Sequence, residues 1–426
     1  MIESTHAMLA PHPSPTLLRA ACGLLLALAL GSAIATAREG RALDTAGDVG
    51  RFVSLVLDAA GNPVLAYHDL TNRDLKFLYC DDPDCAGDQS PNIRVLDSAG
   101  IVGQYNSLVL DAAGHPVISY HDAFNGALKL LRCDNPRCEG DQSRNIHVPD
   151  STGIVGQYNS LALDAAGHPV IAYYDADKGN LKLLHCDDPG CAGDQSGNIR
   201  VLDTAGDVGL YASLALDAAG NPVVSYHDSS SGDLKLLHCI DPKCMGAVSA
   251  NISVPVPKAF AWYTSLRLDA AGHPVISYQD SANGVLKLLH CDDPRCAGDE
   301  SRNIAVPDRS ASVGAYNSLA LDAAGNPVIS YYDAANGDLK LLYCDDPRCA
   351  GDQSGNIQIL DGAGDVGLYS SLVLDAAGNP VVGYYDFTNG DLKVLRCPNP
   401  RCAPDGAGEE GQPARPMTHP LPQGSE

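Results

Sequence analysis

The chain carries little positive charge and, beyond its first 37 residues, has no long hydrophobic run. Lys and Arg number 28 against 52 Asp and Glu, which gives a formal net charge of −24 at pH 7. Because contacts to phosphate groups need a basic surface, this charge argues against nucleic acid as a partner. No stretch of the mature chain reaches the length of a membrane-spanning helix, so no membrane span is expected.

Familiar catalytic motifs are also missing. The sequence contains no G-x-S-x-G, no H-E-x-x-H and no phosphate-binding P-loop. The sequence does contain many Asp residues, and two of them could form the carboxylate pair of a glycoside hydrolase. Such a pair is defined by the distance between its two carboxyl groups, which a sequence does not give. The choice between an enzyme and a binding protein therefore stays open, with a non-enzymatic protein favoured.

The first 37 residues have the pattern of a secretory signal peptide. Arg19 is followed by the apolar run ACGLLLALALGSAIA, which includes Cys22, and Ala35-Thr36-Ala37 forms a small-residue cleavage site. We therefore expect residues 1–37 to be removed and the mature protein to be secreted or periplasmic.

The other 14 cysteines occur as seven C-x4-C pairs. An even number of cysteines in an exported chain favours disulfides, whereas a zinc site would need four converging ligands and each pair supplies two. The predicted local disulfides are Cys80–Cys85, Cys133–Cys138, Cys186–Cys191, Cys239–Cys244, Cys291–Cys296, Cys344–Cys349 and Cys397–Cys402.

A repeat of 53 residues, shortened once to 52, accounts for most of the chain. Each unit begins with a Ser-Leu pair, at Ser54, Ser107, Ser160, Ser213, Ser265, Ser318 and Ser371. Within a unit, four short apolar runs such as SLALD, PVIAYYD, LKLLHC and NIRVLD alternate with turn sequences, and no window is long enough for a helix. This pattern predicts an all-β, seven-bladed β-propeller over residues 38–403, with four antiparallel strands per blade.

The two ends of the repeat region are complementary. The seventh unit lacks its fourth strand, while residues 41–50, RALDTAGDVG, nearly reproduce residues 200–209, RVLDTAGDVG. The N-terminal segment is therefore predicted to close the last blade, which would remove two open sheet edges. Residues 404–426 are rich in Pro, Gly and Glu and are predicted to form a disordered tail.

Residues 321–344, LDAAGNPVISYYDAANGDLKLLYC, resemble the repeat of exported bacterial β-propellers of the sialidase-like, BNR type. The resemblance extends over residues 41–403 and implies a propeller fold, but it assigns no activity, because propellers host many functions. The sialidase Asp-box S-x-D-x-G-x-x-W is not matched in this chain, which has a single Trp. This departure argues against sialidase chemistry.

Several polar residues recur in every unit and have structural interpretations. Lys76 is expected opposite Tyr67 and diagonal to Asp69, which predicts a polar cross-strand cluster within each blade. The carboxylate of Asp58 is expected to cap the DAAGNP turn. The residue before the repeated Asp varies among His, Tyr and Gln, and this variation predicts a surface position: His68, His121, Tyr174, His227, Gln279, Tyr332 and Tyr385.

Calcium is the cofactor to consider in an acidic exported repeat, although no cofactor is the favoured prediction. Candidate ligands are Asp345, Asp346 and Asp352 near one disulfide, and the D-x-D-x-G sequence of Asp175, Asp177 and Gly179. Neither group matches the complete twelve-residue calcium loop, so solvated acidic loops are the favoured interpretation.

The fourth unit ends in an atypical segment, NISVPVPKAFAWYTSLRLD. It lacks one residue, contains the only Trp, Trp262, with Lys258 and Phe260, and has Arg267 where other units carry Ala or Val. Sequence drift in a loop explains these features, and a ligand platform at one rim of the axis is the alternative.

The favoured hypothesis is a monomeric binding protein that recognises an extracellular ligand, such as a carbohydrate, through many equivalent weak sites. The candidate ligand-binding residues are the single Trp and the aromatic residue before the first strand of each unit: Trp262, Phe52, Tyr105, Tyr158, Tyr211, Tyr263, Tyr316 and Tyr369. The seven repeated aromatics are expected on the same rim as Tyr67-His68-Asp69 and its equivalents. The alternatives are a polysaccharide-active enzyme, a hydrolase or a lyase, with one site at the rim, and a scaffold that binds proteins.

Overall fold

The computed structural model describes residues 39–246, 248–298 and 300–403. The predicted signal peptide and C-terminal tail lie outside these ranges. Over the described residues the chain forms seven four-stranded antiparallel sheets, which confirms the predicted seven-bladed propeller.

The strands follow one another blade by blade along the chain. Blade 1 contains β2 (Val49–Leu57), β3 (Pro63–Asp69), β4 (Asp74–Tyr79) and β5 (Ile93–Asp97). Blade 2 contains β6 (Gln104–Leu110), β7 (Pro116–Asp122), β8 (Ala127–Arg132) and β9 (Ile146–Asp150). Blade 3 contains β10 (Val155–Leu163), β11 (Pro169–Asp175), β12 (Asn180–His185) and β13 (Ile199–Asp203). Blade 4 contains β14 (Val208–Leu216), β15 (Pro222–Asp228), β16 (Asp233–His238) and β17 (Ile252–Val256).

Blade 5 contains β18 (Ala261–Leu268), β19 (Pro274–Asp280), β20 (Val285–His290) and β21 (Ile304–Asp308). Blade 6 contains β22 (Val313–Leu321), β23 (Pro327–Asp333), β24 (Asp338–Tyr343) and β25 (Ile357–Asp361). Blade 7 contains β26 (Val366–Leu374), β27 (Pro380–Asp386), β28 (Asp391–Arg396) and β1 (Arg41–Asp44). Short 3₁₀ turns precede the fourth strands of blades 1–6, at Ser90–Asn92, Ser143–Asn145, Ser196–Asn198, Val248–Asn251, Ser301–Asn303 and Ser354–Asn356.

The chain closes the circle with its N-terminal strand. β1 pairs antiparallel with β28, with Arg41 opposite Val394 and Ala42 opposite Lys393. The predicted closure of the last blade is therefore confirmed. Because the closing strand is the fourth and outermost strand of its blade, the first strand of every blade is the innermost.

The turn between the first and second strands forms as the sequence predicts. The Asp58 carboxylate accepts hydrogen bonds from the backbone N–H groups of Ala60 and Asn62, both at 2.8 Å. Gly61 has a φ of +83°, a conformation that glycine adopts without steric cost, and Pro63 then begins β3. The same turn recurs in each blade.

Neighbouring blades are joined at their innermost strands by hydrogen bonds from backbone to serine. The Leu108 N–H donates to Ser54 Oγ of the preceding blade at 3.0 Å. The equivalent bonds continue around the whole disc, from Leu161, Leu214, Leu266, Leu319, Leu372 and Leu55 to Ser107, Ser160, Ser213, Ser265, Ser318 and Ser371. The first Ser of each repeat therefore links the inner strands into a closed ring.

All seven predicted disulfides are present. Six of them close the loop between the third and fourth strands of their blade, as with Cys80 and Cys85, which are both buried. The seventh, Cys397–Cys402, follows the third strand of blade 7. Such a set of disulfides is typical of a protein that folds in an oxidising compartment. In the described part of the chain, no helix has the length and apolar character needed to cross a membrane.

Candidate functional site

A bulge in the first strand of each blade turns one aromatic residue out of the sheet. In blade 1 the pairing of β2 with β3 is interrupted between Arg51 and Ser54, and Phe52 adopts a φ of +52°. A side chain in this region of φ costs about 1–3 kcal/mol, so seven occurrences at one position indicate a constrained site. The other six are Tyr105, Tyr158, Tyr211, Tyr263, Tyr316 and Tyr369, with φ values between +49° and +56°.

These seven aromatic side chains meet at the propeller axis. Neighbouring ring centroids are 4.5–4.8 Å apart, from Phe52 to Tyr105 and onward to Tyr369, which returns to Phe52 at 4.6 Å. Seven rings at this spacing surround an opening with a radius of about 5 Å, measured to the centroids. With the residues that follow them in the chain, they line a cavity of about 240 Å³. We call these seven side chains the aromatic ring.

Polar side chains of the next blade hold the backbone of the aromatic ring. Asn159 Nδ2 donates to the Tyr105 carbonyl at 2.7 Å, and Asn317 Nδ2 donates to the Tyr263 carbonyl at 2.7 Å. Thr264 Oγ1 donates to the Tyr211 carbonyl at 2.7 Å. The bulge leaves these carbonyls without a strand partner, and the bonds from the next blade satisfy them.

Five tyrosines of the aromatic ring have raised pKa values and are neutral at physiological pH: Tyr105, Tyr211, Tyr263, Tyr316 and Tyr369. Burial raises the pKa of Tyr105, and the neighbouring phenol of Tyr158 raises it further. The pKa values of Tyr211, Tyr263, Tyr316 and Tyr369 are raised for the same two kinds of reason. A neutral phenol both donates and accepts hydrogen bonds, so the site offers hydroxyl groups beside half-exposed aromatic faces.

The sequence predicts these aromatics around a rim as separate, equivalent binding sites, and this placement is wrong. The first strand of a propeller blade is the innermost, so residues that are 53 apart in sequence converge on one axis. Tyr67 and Asp69 do not extend the surface either, because both are buried. The geometry brings the seven repeated aromatics to one shared cavity in place of seven separate positions.

Trp262 breaks the symmetry beside the aromatic ring. It is 41% exposed, and its indole stacks on Tyr211 with the two ring centroids 6.2 Å apart and an interplanar angle of 28°. The preceding loop exposes Phe260 as well. The alternative interpretation of this atypical segment, an aromatic platform next to the axis, agrees with where the structure places Trp262.

The residues just before the ring aromatics differ in polarity around the propeller. Blades 1–3 carry polar residues at this position and blades 4–7 carry apolar ones: Arg51, Gln104 and Gln157 against Leu210, Trp262, Ala315 and Leu368. Arg51 is fixed by Asp48, with a guanidinium nitrogen 2.9 Å from a carboxylate oxygen, and lies over the Tyr385 ring. The axial cavity is lined by the ring aromatics and the residues that follow them, so this difference in polarity lies beside the cavity.

The variable His, Tyr and Gln positions are buried or half-buried, so their predicted surface location is wrong. The loop of the next blade covers these side chains, and the hydrogen-bond partner in that loop determines which residue type fits. Tyr332 Oη donates to Asp365 at 2.7 Å and Tyr385 Oη to Asp48 at 2.8 Å, whereas His68 Nδ1 lies 2.8 Å from the Val102 carbonyl oxygen. Tyr occurs where the next loop supplies a carboxylate, which explains variation that the sequence analysis attributed to exposure.

The predicted Tyr, Asp and Lys cluster is present, with a further partner that the sequence analysis missed. Lys129 lies opposite Tyr120 and its Nζ is 2.8 Å from Asp122 in the same blade. Asp97, the last residue of the preceding blade, accepts from Tyr120 Oη at 2.7 Å and lies 3.0 Å from Lys129 Nζ. The cluster therefore joins two blades. In the sequence, the Leu-Asp dipeptide that ends most of the outermost strands indicated the additional carboxylate.

Six of the seven interfaces between blades contain this interblade carboxylate. The residues are Asp44, Asp97, Asp150, Asp203, Asp308 and Asp361. Between blades 4 and 5 the position is Val256, and the buried Tyr278 hydroxyl has no hydrogen-bond partner among the described residues. The atypical segment thus also removes one buried carboxylate from the structural framework.

The buried imidazoles make stability depend on pH in mildly acidic solution. Burial lowers the pKa of His68, His121 and His227 below the ordinary value of 6.5. Because the unfolded chain then binds more protons than the folded chain, the free energy of unfolding should fall as the pH drops below about 6.5. Carboxylates with a lowered pKa, such as Asp122, should add a second loss below about pH 4.

Gln279 occupies the equivalent position in blade 5 and donates to the Val313 carbonyl, so His→Gln is a substitution that this fold already contains. A variant with His68, His121 and His227 all replaced by Gln should therefore lose the first acidic step and keep the second. Denaturant unfolding from about pH 3 to 8 covers both steps and measures this. An unchanged first step would show that other groups titrate there.

The candidate calcium ligands do not converge. Asp175 lies 3.0 Å from Lys182 Nζ, and Asp177 accepts from the backbone N–H of Ile154. Asp345 pairs with Arg401, while Asp346 caps its own loop. Within the described residues, no group of three or more His, Cys, Asp or Glu has the arrangement of a metal site.

No protein-family model matches the chain, and no curated protein sequence does. Among solved structures, it is similar to a polysaccharide lyase of the PL25 family, an ulvan lyase, at 12% identity and a TM-score of 0.48 over 85% of this chain and 94% of the other. A Hadza microbial sialidase is 13% identical, with a TM-score of 0.42 over 81% of this chain and 65% of the other. The calcium-binding protein regucalcin from Agrobacterium tumefaciens is 12% identical, with a TM-score of 0.38 over 65% and 80%. At these identities the likeness concerns the fold alone.

Proposed function

We propose that the chain is an exported, non-enzymatic β-propeller that binds one extracellular ligand at the aromatic ring, and that the ligand is a carbohydrate. The closed ring of seven aromatic side chains around the axial cavity is the observation that supports this proposal. The seven disulfides support the exported location, because such bonds persist in oxidising compartments.

The chemistry of the cavity suits a sugar. Sugar rings present apolar C–H faces and hydroxyl groups, and the aromatic ring presents aromatic faces with neutral phenols. Drug-sized ligands usually occupy cavities of about 300–1,000 Å³. The axial cavity, at about 240 Å³, therefore favours one ring-sized residue of a glycan.

The state of the phenols favours binding over catalysis. Their raised pKa values keep them protonated, so they are poor general bases near pH 7. His68 and His121, the imidazoles nearest the ring in blades 1 and 2, are buried and have lowered pKa values.

A glycan array should first identify a ligand for the mature protein. Replacing Tyr105, Tyr158 and Tyr211 together by Phe should then weaken binding about 10- to 2,000-fold, because each of three lost hydrogen bonds contributes about 0.5–1.5 kcal/mol. Phe52 shows that the ring accommodates Phe, so these variants should fold. Trp262→Ala should weaken binding as well.

Tyr343→Phe is the matched control, because its hydroxyl bonds to Asp322 away from the aromatic ring. Titration calorimetry of the wild type should give one ligand per chain. A stoichiometry near seven would support the multivalent hypothesis, and unaltered affinity in the ring variants would exclude the axial site.

A further inference from the structure

Arg267 places a cation where the other six repeats place a small aliphatic residue. It belongs to β18, the innermost strand of blade 5. The equivalent residues all pack against or within hydrophobic clusters: Val56, Val109, Ala162, Ala215, Ala320 and Val373. The environment of this position is therefore apolar in the other repeats, whereas in blade 5 the position holds a guanidinium group.

This guanidinium has few partners among the described residues. Within that part of the chain its hydrogen bond runs from Nη1 to the Leu266 carbonyl, at 2.8 Å. No carboxylate in the described part of the chain forms an ion pair with it, whereas the buried Lys76 lies 3.0 Å from both Asp44 and Asp69. A guanidinium has five N–H donors, so most of its donors are unused.

The side chain is enclosed by the protein yet retains accessible surface. Enclosure lowers the pKa of the guanidinium, and no neighbouring charge offsets the effect. Because β18 is the innermost strand of blade 5, Arg267 lies close to the axis, below the residues that line the axial cavity. Arg267 follows Tyr263 of the aromatic ring by four residues, which is at most about 13 Å along an extended strand.

We infer that Arg267 is an anion-binding residue on the axial side of blade 5, and that the ligand held at the aromatic ring carries an acidic group. An enclosed cation without a counter-charge is costly, and a carboxylate, sulfate or phosphate group would remove that cost by pairing with the free donors. The acidity of the ligand rests on the proposed function, whereas the anion site does not.

The anion site is tested on the mature protein without any glycan. At constant ionic strength, inorganic phosphate should raise the melting temperature of the wild type along a saturating curve, as expected for a ligand that binds only the folded state. Arg267→Val, which restores the residue of three other repeats, should remove the saturating part and melt higher than the wild type without phosphate. The exposed Arg302→Ala is the control and should behave like the wild type. A linear response in all three proteins would overturn the anion site.

The acidity of the ligand is tested with matched sugars. Methyl glucuronide should bind the wild type at least tenfold more tightly than methyl glucoside, and Arg267→Val should reduce that ratio to about one. If both sugars bind equally and only ring variants lose them, this inference fails and the proposed function stands. If neither sugar binds while phosphate still stabilises, the anion site stands and the acidic sugar is excluded.

Discussion

Deleting residues 39–46 should lower the free energy of unfolding by about 5 kcal/mol or more and should make the protein associate. The deletion removes β1, so the edge of β28 loses its partner. It also removes Asp44, which accepts from Tyr67 Oη at 2.7 Å and lies 3.0 Å from Lys76 Nζ in blade 1. Denaturant unfolding measures the loss, and light scattering detects association through the exposed edge.

Two controls separate the effects of the closing strand. Asp44→Val keeps β1 and removes only the interblade bonds, so it should cost less than the deletion. A peptide with the sequence of residues 39–46, added to the deletion variant, should restore part of the lost stability. A monomeric deletion variant with wild-type unfolding would mean that β1 does not close the propeller.

Asp97→Val should destabilise the protein by about 3–5 kcal/mol, because it leaves the buried Tyr120 hydroxyl without its acceptor and removes one of the two carboxylates of Lys129. One interface of the chain already has Val in place of the interblade Asp, at Val256. The reverse change, Val256→Asp, should therefore give Tyr278 a partner and stabilise the protein by about 1–2 kcal/mol.

A matched pair of Tyr→Phe variants checks this account. Tyr120→Phe removes a satisfied hydroxyl and should cost about 1–2 kcal/mol, whereas Tyr278→Phe removes an unsatisfied one and should be neutral or stabilising. Guanidinium unfolding of all four variants gives the values. Equal costs for the two Tyr→Phe variants would contradict the interblade role of Asp97.

The architecture was predictable because a blade is built from local hairpins. The repeat spacing, the cysteine pairs and the match of residues 41–50 with residues 200–209 together predicted the number of blades, the disulfides and the closing strand, and all are confirmed.

The site was less predictable because its contacts cross blades. Phe52 and Tyr105 are 53 residues apart, and their ring centroids lie 4.7 Å apart at the axis. Their positive φ was not visible in the sequence, since Tyr and Phe rarely adopt it. The predicted closing strand was enough to place the aromatics. If the fourth strand of a blade is the outermost, the first strand is the innermost, and its aromatic residue lies at the axis.

The interblade carboxylate was missed for a related reason. Asp97 precedes Tyr120 by 23 residues and Lys129 by 32, so its partners belong to the next repeat. Comparison within one unit pairs Lys129 with Asp122 alone. The pairing became visible only in the structure, where Val256 replaces the Asp and the Tyr278 hydroxyl has no hydrogen-bond partner among the described residues.

Emission from Trp262 tests the central claim most directly, because it is the only Trp of the chain and stacks on Tyr211 of the aromatic ring. A ligand identified on the array should shift the Trp emission and protect it from acrylamide quenching, with the same midpoint as the calorimetric titration. The triple Tyr→Phe variant should show both changes at higher ligand concentrations. Unchanged emission and quenching at a ligand concentration that saturates the calorimetric signal would contradict binding at the axis.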